Sequence, residues 1–209
     1  EGKMPMLANS SMHFFFESQN EPELIKNTIV NLVTSRLPKF LNVKPQEIQV
    51  LAPMKAGVCG IENLNRTLQE EINPKSPEKP QVEVGQTIFR LGDKVMQITN
   101  NYDLVWKKQG KYAMEEGQGV FNGDIGYITL IDPNTGEMNV EFEDGRNCLY
   151  TRPDLLDLSL SYAITIHKSQ GSEFDTVIIP AIAGPSIILT RNLIYTAVTR
   201  AKKMVVIVG

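Results

Sequence analysis

Apolar positions along the 209-residue chain change their spacing twice. Met12–Phe16 (MHFFF) is a short continuous apolar run, which predicts a buried strand. Leu24, Ile25, Thr28, Ile29, Leu32, Val33 and Leu37 then recur at three and four residues behind the start signal Asn20-Glu21-Pro22-Glu23. This spacing predicts a helix that Pro38 stops. Ile48–Ala52 predicts a second strand ended by Pro53, and Ile61, Leu64, Asn65 and Leu68 predict a second helix closed by Asn73-Pro74. The order β-α-β-α is that of a mainly parallel sheet covered by helices.

Beyond the linker-like segment Asn73–Pro80 the pattern becomes short and alternating. Lys94–Thr99, Ile125–Ile131, Glu137–Phe142 and Arg146–Tyr150 read as strands of a small antiparallel barrel. Asp132–Gly136 and Glu143-Asp144-Gly145 read as hairpin turns, because glycine supplies the positive φ that such turns need. Asn100–Gln118 has little periodicity and reads as a long, mobile loop. The earlier pattern then returns. Tyr162–Ser169 reads as a short helix, Thr176–Ile179 as a buried strand, Asn192–Arg200 as a helix and Met204–Val208 as a last buried strand. The fold class expected is therefore α/β, with a discontinuous parent domain over 1–82 and 157–209 and a barrel inserted over 83–156.

With 42% hydrophobic and 22% charged residues, the composition excludes disorder, collagen-like repeats and disulfide scaffolds. At this length roughly 70% of the unfolded chain's surface can be buried, enough for one domain carrying a smaller insert. The formal charge of −3 argues neither for nor against an anionic partner. Its distribution matters more: residues 81–155 carry 7 basic and 12 acidic groups, and residues 156–209 carry 5 and 3. Contact with nucleic acid must then be local and built from placed residues. Cys59 and Cys148 are isolated, no metal-ligand spacing occurs and there is no secretory n-region at the start, so no metal site and a reduced, cytoplasmic setting are expected. The longest uncharged run, Thr176 to Thr190, is interrupted by Pro180, Gly184 and Pro185 and is too short to span a bilayer, so no membrane partner is expected.

No G-x-x-x-x-G-K-[ST] phosphate loop occurs, and neither His13 nor His167 sits near a nucleophile pattern. Two segments nonetheless look chemical. In Thr165-Ile166-His167-Lys168-Ser169-Gln170-Gly171-Ser172-Glu173-Phe174-Asp175, nine of eleven positions are polar or glycine, which reads either as the lining of a cleft at the sheet's edge or as a polar cap and loop. In Tyr195–Lys203 the cations Arg200, Lys202 and Lys203 read either as functional groups or as residues favoured by a helix C-terminus. Phe14, Phe15, Phe16 and Phe174 read as core. Trp106 and Tyr102, beside Lys107, Lys108 and Lys111, suit stacking on bases, against which the barrel's −5 weighs.

Taken with Leu51-Ala52-Pro53-Met54, Gly57, Gly60 and Leu64-Asn65, these two segments resemble motifs IV, V and VI of superfamily 1 helicases of the RecD-like (RecD and TraA) group. Gly92–Gln97 and Val120–Gly126 resemble the recurring core of an SH3-like barrel inserted into the second RecA-like domain of that group. The resemblance covers nearly the whole chain. It implies a RecA-like, P-loop NTPase type of sheet without its Walker A loop, and a small antiparallel SH3-like barrel.

The same resemblance implies roles. Arg200 becomes the finger that reaches the γ-phosphate of ATP, whose Mg2+ and phosphates are held mainly by a first motor domain outside this sequence. A guanidinium suits that task because it stays charged and binds phosphate oxygens bidentately. Gly171 and Glu173 fall where motif V approaches the nucleotide, with Glu173 an acceptor from ribose hydroxyls. Thr165, His167 and Lys168 fall where it faces single-stranded DNA, holding phosphates without reading sequence. Lys55 is the basic residue nearest the motif IV position that touches γ-phosphate in related helicases; it reads equally as a solvated loop residue. The expected parent is an ATP-dependent DNA helicase of the exodeoxyribonuclease V alpha type that moves 5′ to 3′ on a single strand, with nuclease-complex subunits as further partners. The motor half of a conjugative relaxase-helicase and a non-enzymatic helicase-derived binding module are the alternatives. The chain is expected to be half a motor, cut before its phosphate loop and again after its last strand.

Overall fold

A computed structural model describes residues 13–182 and 190–209; Met12 of the first expected strand, with Gly184 and Pro185, lies outside them. In chain order the elements are β1 (Phe14–Glu17), α1 (Pro22–Asn31), a π-helical turn (Leu32–Arg36), α2 (Leu37–Leu41), β2 (Ile48–Ala52) and α3 (Ile61–Ile72). Then come β3 (Gln81–Val84), β4 (Thr87–Arg90), β5 (Lys94–Gln97), β6 (Asn101–Gln109), β7 (Met114–Val120), β8 (Ile125–Ile131), β9 (Met138–Phe142), β10 (Asn147–Tyr150) and β11 (Leu158–Leu160). The last are β12 (Ala163–Thr165), a 3-10 turn (His167–Ser169), β13 (Phe174–Pro180), α4 (Arg191–Val198) and β14 (Ala201–Val208). They form two compact units, one from the residues up to Ile72 and from Tyr162 onward, the other Asn73–Ser161.

The first unit holds a five-stranded sheet in the order β1-β14-β13-β2-β12, parallel throughout. Its inner strands are buried on both faces, as parallel strands covered by helices must be. Every residue of β2 is buried, and in β13 only Asp175 is exposed. β1 departs from the expected buried strand: it pairs with β14 alone, and all four of its residues are half-buried. Pro38 does not stop the first helix. The ring removes an N–H, and the turn ahead of it widens so that the Leu37 N–H bonds to the Leu32 carbonyl; Pro38 then sits in the first turn of α2, where its missing donor is not needed. The helix ends at Asn42, which takes the left-handed conformation at φ 55.

Tyr162–Ser169 is not a helix. Its apolar run is too short to distinguish helix from buried strand by period, and the chain lays Ala163–Thr165 along β2 before making a 3-10 turn. The Asn65 side chain of α3 fastens this strand: its Nδ2 donates to the Ala163 carbonyl at 2.8 Å, and its Oδ1 accepts the Ala163 N–H at 2.8 Å.

The second unit holds an antiparallel sheet in the order β11-β5-β8-β9-β10-β6-β7, with β3 and β4 as a separate hairpin. The expected turns are present, with Gly136 and Gly145 at φ 75 and 86. Asn100–Gln118 is no loop: β6 and β7 fill it as a long hairpin, with Trp106 directly over Gly117, where a side chain would collide with the indole. Inside the unit, the Tyr150 hydroxyl donates to Gln97 at 2.6 Å, and the buried Asp93 carboxylate accepts from the Arg90 N–H and from Asn73, both at 2.7 Å. No helix among the described residues is long and apolar enough to cross a membrane.

Candidate functional site

Strand register divides the expected site residues between the two ends of the parallel sheet. Thr165 pairs with Ala52, at the end of β2 where the chain turns out toward Lys55. Phe174 pairs with Ala201, and Thr176 pairs with Ile48, so Glu173 and Arg200 lie at the opposite end. Six residues separate the two levels, roughly 20 Å at the rise of a strand. The polar segment 165–175 therefore lines no single cleft. It starts at one end of the sheet and reaches the other.

At the β13/β14 end the segment Gly171–Asp175 is fastened to Thr199–Lys203. The Phe174 N–H donates to the Arg200 carbonyl at 2.8 Å. Lys202 and Glu173 form an ion pair at 3.4 Å, and Lys203 and Asp175 another at 2.6 Å. The Arg200 guanidinium points into this junction. Its Nη1 donates to the Ser172 carbonyl at 3.3 Å and its Nη2 to the Thr199 hydroxyl at 3.4 Å, both long for such bonds. Its Nε is buried and has no hydrogen-bond partner among the described residues. A fixed cation held by two weak bonds, with a third donor unused, is suited to exchange those bonds for anionic oxygens. Gly171 takes φ +88 with open space where a side chain would be, a backbone only glycine adopts without strain. Glu173 is thus a partner of Lys202; both side chains are more than half exposed, so the pair is weak and exchangeable.

At the β2/β12 end, the Thr165 hydroxyl accepts the Lys168 N–H at 3.3 Å, and the Ser169 hydroxyl donates to the Ile166 carbonyl at 2.7 Å. These bonds shape the 3-10 turn and leave the His167 side chain exposed at its start. Lys168 is partly buried. Burial, and then the charge of Lys55, lower its pKa below the ordinary lysine value. Lys55 follows β2 at this end of the sheet, and Arg200 lies at the opposite end.

Sequence reasoning missed the Ser172 carbonyl and Thr199 hydroxyl as holders of Arg200. A signal was present in the facing charges, Glu173 and Asp175 against Lys202 and Lys203. In the second unit Lys107 pairs with Glu116 at 3.9 Å and Lys108 lies opposite Glu115, so the hairpin's cations face carboxylates. Tyr102 packs edge-on against Phe121 at 5.8 Å between ring centres. No group of three or more His, Cys, Asp or Glu among the described residues is arranged to hold a metal ion.

A parallel five-stranded sheet with an arginine at the mouth of its last strand, interrupted in sequence by an antiparallel unit, is the frame in which these residues lie. Residues 64–142 match the SH3 domain of ATP-dependent RecD-like DNA helicases, and residues 160–208 match the UvrD-like helicase C-terminal domain. The chain is 34% identical over 158 residues to the ATP-dependent RecD2 DNA helicase of Deinococcus radiodurans, covering 76% of this chain and 19% of that protein. It is 30% identical over 209 residues to the RecBCD enzyme subunit RecD of Buchnera aphidicola subsp. Acyrthosiphon pisum, covering 94% and 32%. It is 31% identical to the RecD subunit of Mycobacterium tuberculosis, covering 78% and 25%. Among solved structures, that of Bacteroides Pif1 bound to single-stranded DNA superposes with a TM-score of 0.47 at 18% identity, covering 90% of this chain and 49% of that one. The chain is thus similar to RecD-like DNA helicases over most of its own length. It spans less than a third of the length of the curated relatives named here.

Proposed function

We propose that this chain is the second motor domain of an ATP-dependent DNA helicase that moves 5′ to 3′ on single-stranded DNA and unwinds duplex. In this reading the parent protein's first RecA-like domain holds ATP and its Mg2+, and this chain completes the cleft. Arg200 leaves the Ser172 carbonyl and the Thr199 hydroxyl to meet the γ-phosphate, stabilising charge as the terminal phosphoryl group departs. Gly171 lets the backbone approach the nucleotide, and Glu173 exchanges Lys202 for a ribose hydroxyl. Thr165, His167 and Lys168 hold the strand's phosphates at the other end of the sheet. Because the segment between them is one short run of chain, closure on ATP is felt at the DNA, and alternating grip produces translocation. The protein acts in the cytoplasm, and the RecD subunits among its relatives support a nuclease complex as the setting.

The observation that carries the reading is the under-bonded Arg200 guanidinium at the junction of the two helicase segments. In the parent protein, Arg200→Ala is expected to lower ATP turnover by about 10³–10⁵ with nucleotide affinity nearly intact. Surviving turnover refutes the assignment. Residues 1–209 alone, lacking a Walker loop, are expected to hydrolyse no ATP; robust hydrolysis by that fragment refutes the division of labour.

A further inference from the structure

The outer side of the antiparallel sheet carries a cavity of about 560 Å³, lined by β6, β9, β10 and the turn that follows β10. Asp103, Val105 and Lys107 alternate along β6 and so share one face, and Asn147, Leu149 and Thr151 do the same along β10 and its continuation. The two rows are antiparallel, with Asn147 paired to Lys107. Two residues on, Leu149 comes to Val105, and two further on, Thr151 comes to Asp103. The cavity therefore has three rungs of different chemistry: amide and ammonium, then two aliphatic side chains, then hydroxyl and carboxylate. Asp154 joins the last rung, where its carboxylate accepts the Thr151 N–H at 3.0 Å and the Thr151 hydroxyl.

Two of these rungs are unmet. Leu149 is 52% exposed and Val105 40%, so the middle rung is apolar surface left to water. Asp103 lies where the register of β6 and β7 shifts, between Asn101 and Val105, so it has no paired residue on β7, unlike Lys107 and Lys108. Its carboxylate meets no cation among the described residues. Nucleic acid offers such a cavity the wrong charge: phosphates would face Asp103 and Asp154 in a stretch, 81–155, with 7 basic and 12 acidic groups. No aromatic side chain lines it for bases to stack on. A peptide fits on both counts. In an extended chain alternate side chains stand roughly 7 Å apart, which is also the spacing of the rungs along β6.

We infer that this cavity docks an extended segment of a partner protein in which a lysine or arginine stands two residues from an aliphatic side chain. The cation meets Asp103 and Asp154, and the aliphatic group covers Val105 and Leu149. The inference needs neither ATP nor the Arg200 assignment.

The test uses the full-length parent protein without nucleotide and, as probe, a fluorescein-labelled peptide of three Lys-Thr-Leu-Thr repeats, followed by fluorescence anisotropy. The probe is expected to bind at least about tenfold more tightly than the same peptide with glutamate for lysine or serine for leucine. Leu149→Ser should weaken it about tenfold, and Leu149→Met should leave it within about twofold. Asp103→Asn and Asp154→Asn should each weaken it about two- to fivefold and reduce its dependence on salt. If Leu149→Ser lowers the thermal midpoint, Val105→Ser carries the same test. Equal affinity for the three peptides, or affinity unchanged when the aliphatic rung is replaced by serine, overturns the inference. An oligothymidylate whose own binding falls in Leu149→Ser makes the cavity a single-strand site and overturns it as well.

Discussion

Arg200 and Arg146 are the same side chain used in opposite ways in the two units. Arg146 meets Asp124 at 2.7 Å and Asp144 at 2.6 Å, donates to the Gly119 carbonyl at 3.1 Å and lies over the Phe142 ring. Its charge is neutralised twice and its donors are used, so it holds turns of the antiparallel sheet together. Among the described residues Arg200 meets no carboxylate, makes two long bonds to neutral oxygens and leaves its Nε unused. An arginine whose valences are filled is architecture, whereas one left under-bonded at a strand mouth is available to a ligand. The contrast extends to the units. In the parallel sheet polar groups gather at the ends of buried strands; in the antiparallel sheet charges alternate along the strands and find partners across them.

The largest expected effect tests the contrast head on. Arg200→Lys in the parent protein should lower ATP turnover by about 10³ or more, because an ammonium cannot replace a bidentate guanidinium. Arg146→Lys should cost about 1–3 kcal/mol of stability, read as a lowered thermal midpoint, while turnover at a temperature where the protein stays folded is retained. Loss of turnover in the second variant would break the comparison. Gly126→Ala sharpens it within the antiparallel sheet. A side chain there would lie 2.6 Å from the Glu141 carbonyl oxygen, and a loss of about 1–3 kcal/mol is expected in chemical denaturation. Burial raises the thiol of Cys59 to about 11 and that of Cys148 to about 12. Both should stay unmodified by a disulfide reagent at pH 8 and react only when denaturant unfolds their unit. The smallest effect is Lys107→Ala, whose pair with Glu116 is more than 60% exposed on both sides; stability should change by less than about 1 kcal/mol.

Much of the parallel sheet could be read from residue order, because strands buried on both faces leave unbroken apolar runs. Ile48–Ala52 and the β13 run are of this kind, and α3 shows its period through Leu64 and Leu68. The β6–β7 hairpin was illegible for the opposite reason. Most of its side chains face solvent, so no alternation of apolar and polar residues marks it, and what holds Trp106 is a glycine on the neighbouring strand. β12 reads as helix in the sequence because Tyr162, Ala163, Ile164 and Ile166 fit either element over so short a span. The polar segment around Gly171 and the Arg200 segment were visible as chemistry in composition. That they sit at opposite sheet ends from Thr165 and Lys55 was not, since only strand register carries that information.

The two hydrogen bonds of Asn65 have a consequence for how such proteins are assembled in evolution. They fasten the last element before the second unit, α3, to the first element after it, β12. The parent sheet is therefore closed at the point of interruption by a side chain of its own. A cassette exchanged there is expected to leave the register of the host sheet in place, and loss of the amide in Asn65→Ala should make the host's thermal midpoint depend on the identity of its insert.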